Sequence, residues 1–143
     1  MLKAKSKNIR HLSLSDLEEY FVENGDMKFR ARQVYEWLWQ KKAQSFDDMT
    51  NLSKDLRHLL ANQFTLPALT VDATQYSADG TIKSRFKTFD GHLIEGVLIP
   101  TEERRTACVS SQIGCSLSCK FCATGYIDKK RNLDFDEIYD QVV

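Results

Sequence analysis

Cys115, Cys119 and Cys122 stand within eight residues as C-x3-C-x2-C, and Cys108 lies seven residues upstream. Three thiolates can hold an iron-sulfur cluster while one iron keeps no protein ligand, and an open iron is a place to bind and reduce a small molecule. The run from Gly114 to Gly125 that carries them is rich in small residues, which let the backbone wrap closely around a bulky inorganic group. An apolar, strand-like stretch, Thr106 to Ser110, leads into this run, and a helix-like stretch follows Asn132. The thiols are therefore expected on a βα loop, where parallel α/β folds place their chemistry.

Other uses of the thiols make different demands. Buried structural cysteines would belong to a periodic apolar face, which a Gly- and Ser-flanked triad does not form. A closed zinc site needs four ligands, and His11, His58 and His92 are all remote in sequence. A disulfide framework belongs to secreted chains, and no signal-peptide pattern opens this one, so a reducing cytoplasm is the simplest compartment.

The motif, with the aromatic Phe121 before its third cysteine, resembles the cluster motif of radical S-adenosylmethionine enzymes. The longer string Cys108-Val109-Ser110-Ser111-Gln112-Ile113-Gly114-Cys115 is similar, more narrowly, to the RlmN/Cfr family of RNA adenine methyltransferases. Further matches follow in order: Phe29-Arg30-Ala31-Arg32-Gln33-Val34, Phe46-Asp47-Asp48-Met49-Thr50, Asp79-Gly80-Thr81-Ile82-Lys83 and Ile99-Pro100. Family members are much longer, so the resemblance implies an N-terminal portion that carries the cluster ligands without the later glycine-rich cofactor segment, the later barrel strands or a distant second cysteine.

The resemblance implies that Cys115, Cys119 and Cys122 bind a [4Fe-4S] cluster, with Phe121 beside them at the cofactor, and that S-adenosylmethionine chelates the open iron. It implies methylation at C2 of adenine in 23S rRNA and in tRNA, through a radical route because that carbon is not nucleophilic. An electron donor such as flavodoxin or ferredoxin is implied as a partner, and no membrane.

Cys108 aligns with the family cysteine that removes the C2 proton and resolves a covalent RNA adduct through a transient disulfide with the distant cysteine. A thiolate suits both tasks, since it accepts protons and attacks sulfur; a buried strand cysteine is the plainer reading. Glu95 aligns with a proposed proton acceptor and competes for the same step. It alternates with Leu93, Val97 and Ile99 and so is expected on a largely apolar strand face, where desolvation would make it a stronger base. A structural ion pair with Arg104 or Arg105 is the alternative.

These residues must be positioned by an α+β chain with three expected sections. Residues 1–67 read as a helical accessory domain: a helix capped by Ser15 with Glu18 reciprocating and Leu14, Leu17, Tyr20 and Phe21 inward, a second from Phe29 to Lys42 burying Phe29, Val34, Tyr35, Leu38 and Trp39, and a third capped by Ser53 and closed by Pro67. Residues 68–105 switch to a period of two. They read as a β meander of Val71 to Ser77, Thr81 to Phe89 and His92 to Ile99, turning at Asp79-Gly80 and Asp90-Gly91. Residues 106–143 read as the first βα unit of a (βα)6 partial barrel, its helix starting at Asp134 and its strand in need of partners from outside.

Composition suits a globular chain: 42% of residues are apolar and the formal net charge is zero, which argues against a uniformly basic nucleic-acid binder. The cations are clustered nonetheless. Lys3, Lys5, Lys7 and Arg10 form one run, Lys28, Arg30, Arg32, Lys41 and Lys42 surround the second helix beside Trp37, and Lys83, Arg85 and Lys87 share a strand face. Such groups suit RNA phosphate. A non-catalytic RNA-docking module with free thiols or a zinc site is the alternative to an enzyme.

Overall fold

The computed structural model describes residues 7–143 and divides into two compact units, Met1–Pro67 and Ala68–Val143. Lys3 and Lys5 of the basic run lie outside the described residues. No helix among the described residues is long and apolar enough to cross a membrane.

In the first unit, α1 (Leu14–Glu23), α2 (Lys28–Trp39) and α3 (Lys54–Gln63) surround one core. The cap of α1 is Ser13, not Ser15: its hydroxyl accepts the Asp16 N–H at 3.1 Å while the Asp16 carboxylate accepts the Ser13 N–H at 2.8 Å. Two serines two residues apart each precede an acid by three, and it is the Ser13–Asp16 pair that closes the capping box. On α2 the buried positions are Ala31, Val34 and Leu38, spaced three and four apart, which turns Phe29 outward. Ser53 caps α3 as expected, accepting the Leu56 N–H at 3.3 Å. The helix stops at Gln63, ahead of Pro67, because β2 (Phe64–Thr65) pairs in parallel with β1 (Lys7–Asn8). Arg10 is buried rather than solvated and lies 5.8 Å from the Trp39 ring.

In the second unit, β3 (Thr70–Tyr76), β4 (Ile82–Lys87), β5 (Leu93–Pro100) and β6 (Arg105–Cys108) form a four-stranded sheet in that order, antiparallel throughout. Both hairpins turn with only the glycine left-handed, Gly80 at φ 83° and Gly91 at φ 84°; a type I turn followed by a glycine bulge suits the strand twist. The expectation that the strand before the thiols lacks a partner is corrected: β6 adds to β5 with Val97 opposite Cys108. The apolar residues Leu98 and Ile99 provide its ladder, and a short loop from Thr101 to Arg104 makes antiparallel return the near solution.

Beyond β6, β7 (Gln112–Ile113) and β8 (Arg131–Asn132) form a small antiparallel pair, and α4 (Phe135–Asp140) follows. Leu69, Phe86, Ile94, Ile113 and Leu133 form the core of this unit, with Ile138 of α4 packed on it. Asp134 and Glu137 make the capping box of α4, as the sequence suggests; the helix ends at Asp140, with Gln141 as its C-cap.

Candidate functional site

The loop that carries the thiols is pinched at its neck. Ile113 faces Arg131 and Gln112 faces Asn132 across β7 and β8, the Lys130 N–H donates to Ile113 O at 2.9 Å, and the Cys115 N–H donates to Ile127 O at 2.9 Å. Within the loop, the Cys122 N–H donates to Cys119 O at 3.1 Å and the Gly125 N–H to Cys122 O at 2.9 Å, so the last two cysteines share a tight turn. Gly114 is left-handed at φ 70°, and a Cβ there would overlap the Asp128 carbonyl; at Gly125 a Cβ would come within 2.6 Å of Cys119 O. These two glycines let the strands of the loop touch. Ser118, at φ 51°, is a non-glycine residue in the left-handed region between Cys115 and Cys119.

Cys115, Cys119 and Cys122 are each half-buried and free, and the Leu117 N–H points at Cys115 Sγ from 3.4 Å. A peptide N–H aimed at sulfur stabilises thiolate and tunes a bound cluster. Three sulfurs on one loop fall short of the four ligands of a closed zinc site and fit a cluster with one open iron. Phe121 stands 93% exposed at the loop's surface, so its ring is free for a flat ligand.

The other two candidates share a face of the sheet. Lys83, Val97 and Cys108 are consecutive cross-strand neighbours, and Glu95, two residues from Val97, projects on the same side. That side is solvated, which corrects the expected apolar setting of Glu95: its side chain is 54% exposed, and its carboxylate pairs with Lys83 Nζ at 3.0 Å, not with Arg104 or Arg105. Leu93 and Ile99 on this face are themselves exposed, so alternation with apolar neighbours gave the face but not its burial. Cys108 is likewise exposed rather than a buried strand cysteine. Just past it, Ser110 Oγ donates to Glu95 O at 2.8 Å, joining the segments that carry the two groups.

Sequence reading passed over Arg131 and Gln141. Arg131 donates to both oxygens of Asp90, at 2.8 and 3.0 Å, and to both oxygens of Glu137, at 2.7 and 2.8 Å. The Arg131 hydrogen bonds hold the Asp90 carboxyl well below the usual carboxylate range, and Glu137 above all, then Asp90, pushes the guanidinium further up. The only signal for this cluster was the acid pair at the start of α4, which reads equally as a helix cap.

In the first unit, α2 and the residues just after it present cations stacked on aromatic rings. Lys41 Nζ lies 4.5 Å from the centroid of Trp37, whose Nε1 donates to Asn51 Oδ1 at 2.6 Å, and the Arg30 guanidinium lies 4.7 Å from Phe29. Arg32 is 3.8 Å from Glu18, so one of the helix's cations is already engaged.

Residues 7–66 match the family model described as the ribosomal RNA large subunit methyltransferase N-terminal domain. The chain is 60% identical over 139 residues to a protein of Cytophaga hutchinsonii named "Probable dual-specificity RNA methyltransferase RlmN", covering 97% of this chain and 38% of the relative. It is 46% identical to the "Dual-specificity RNA methyltransferase RlmN" of Geotalea uraniireducens, covering 94% of this chain and 39% of that one. A crystal structure of a radical SAM methyltransferase from Sphaerobacter thermophilus superposes with a TM-score of 0.82 at 42% identity, over 95% of this chain and 40% of that one. The chain thus spans about two fifths of the length of the curated relatives it matches. That domain match and these identities across nearly its whole span support an N-terminal portion of an RlmN-family protein.

Proposed function

We propose that this chain supplies the cluster loop and the first catalytic groups of a radical S-adenosylmethionine methyltransferase acting at C2 of adenine in 23S rRNA and tRNA. The observation that carries the reading is the pinched loop, with three accessible thiols, two obligatory glycines and no fourth sulfur. Cys115, Cys119 and Cys122 would hold a [4Fe-4S] cluster, which when bound supplies one electron and an open iron for S-adenosylmethionine. Phe121 offers its exposed ring to the nucleoside of that cofactor.

On the sheet face, Cys108 Sγ as a thiolate receives the proton from adenine C2. Ionised again, it attacks the sulfur of the distant cysteine, the S–S bond forming as that sulfur's bond to the RNA-linked methylene breaks and the electron pair leaves with the carbon, which takes up a proton to become methyl. Glu95, exposed and held by Lys83, is suited to orient a substrate amine or water. Lys28, Lys41 and Lys42, with Arg30, Arg32 and Trp37, form an RNA-facing surface on residues 1–67, and residues 68–105 join it to the start of the catalytic core.

The test is anaerobic reconstitution of the chain with iron and sulfide. Uptake of iron with a reducible absorbance and paramagnetic signal, lost on replacing Cys115, Cys119 or Cys122 by Ser and kept in Cys108→Ser, supports the reading. A colourless chain that takes up zinc instead would return it to the class of docking modules.

A further inference from the structure

We propose that Arg131 is a positioning residue for the thiol loop, locking the loop's neck to the β4–β5 turn on one side and to α4 on the other. The proposal deepens the cluster reading above and rests on it for the iron, though not for the neck.

Arg131 lies in β8, opposite Ile113 of β7, so it forms half of the neck through which both legs of the loop pass. All its guanidinium nitrogens are engaged. Nε donates to Asp90 Oδ2, Nη2 to Asp90 Oδ1 and Glu137 Oε1, and Nη1 to Glu137 Oε2 and the Asn132 carbonyl at 3.1 Å. Its guanidinium carbon also lies 5.1 Å from the centroid of Phe89. Two carboxylates each gripped at both oxygens fix a planar group in orientation as well as in place, which a lysine ammonium cannot do.

The carboxylates themselves are anchored. Asp90 also accepts the Thr88 hydroxyl at 2.6 Å, and Thr88 accepts the His92 N–H at 2.9 Å, so the turn cannot swing away. Glu137 is buried at 6% exposure and accepts the Asp134 N–H at 2.9 Å, so the same carboxylate caps α4. Around Arg131, the facing charged or titratable groups are Asp90, Glu137 and, beyond Asp90, His92 at 3.3 Å from Oδ1. A loop that must hold three sulfurs at fixed spacing gains most from a rigid neck, because each ligand's position follows from where the two legs enter.

The experiment compares the chain with its Arg131→Ala, Arg131→Lys and Asp72→Asn variants, the last breaking a separate 2.6 Å pair with Arg85. Native-state hydrogen exchange is read at the Cys115, Lys130 and Leu133 amides of the neck and at Phe86 and Ile94 of the core. Iron release to a chelator is followed in parallel after reconstitution. Arg131→Ala and Arg131→Lys are expected to exchange at least about tenfold faster at the neck alone and to lose iron about tenfold faster, with Asp72→Asn unchanged. Unchanged neck exchange, exchange raised equally in neck and core, or full rescue by Lys overturns the proposal. A wild-type chain that takes up no iron defeats the cluster reading instead, and neck exchange then decides the role of Arg131 by itself.

Discussion

The side-chain amide of Gln141 brackets the peptide of Ser110, accepting its N–H through Oε1 at 2.8 Å and donating from Nε2 to its carbonyl at 2.8 Å. The C-cap of α4 thus imitates a neighbouring strand just where β6 has ended, and Ser110 passes the constraint on to the Glu95 carbonyl. Removing both bonds with Gln141→Ala is expected to cost about 1–3 kcal/mol, measured by urea denaturation followed with far-ultraviolet circular dichroism. Gln141→Glu, which keeps an acceptor but loses the donor, should fall between it and wild type.

Gly114→Ala and Gly125→Ala should damage the loop far more than Gly91→Ala. A Cβ at Gly114 or Gly125 strikes backbone, whereas Gly91 has open space and meets only the left-handed penalty. For Gly91 that penalty is about 1 kcal/mol. Iron uptake after reconstitution is expected to drop sharply in the first two variants and to persist in the third.

The Asp90 carboxyl is depressed in the folded chain, chiefly by hydrogen bonds from Arg131. Its stabilisation is therefore present in full above the unfolded value of about 3.9 and fades as pH falls below it toward the folded value. Asp90→Asn should lower stability at neutral pH and flatten the acid limb of the stability curve between about pH 4 and pH 2. An acid limb identical to wild type would show that Asp90 does not bind its proton differently on folding.

Ser13→Ala should destabilise the first unit by about 1 kcal/mol, and Ser15→Ala by no more than about 0.5 kcal/mol. Thermal unfolding of the pair of variants distinguishes the true cap from its neighbour.

Much of this was legible because spacing carries it. The flanking glycines, the strand periods and the helix start at Asp134 all follow from local chemistry, and the structure keeps each. Which of Ser13 and Ser15 caps α1 was not, since both have an acid three residues on and either start leaves Leu17 and Phe21 on one face. The exposure of Glu95 was hidden for a related reason: alternation shows that residues share a face but not whether anything covers it. β6 joined the antiparallel sheet because a short return loop makes its nearest neighbour in sequence its neighbour in space. Arg131 and Gln141 act on partners 41 and 31 residues away, and no local pattern announces such pairs.

Both tryptophans of the chain, Trp37 and Trp39, stand on α2. Indole emission is consequently an optical reporter for the core of residues 1–67. Melting curves followed by fluorescence and by a tyrosine or dichroic signal will superimpose if the two halves unfold in concert and will separate if they come apart in turn.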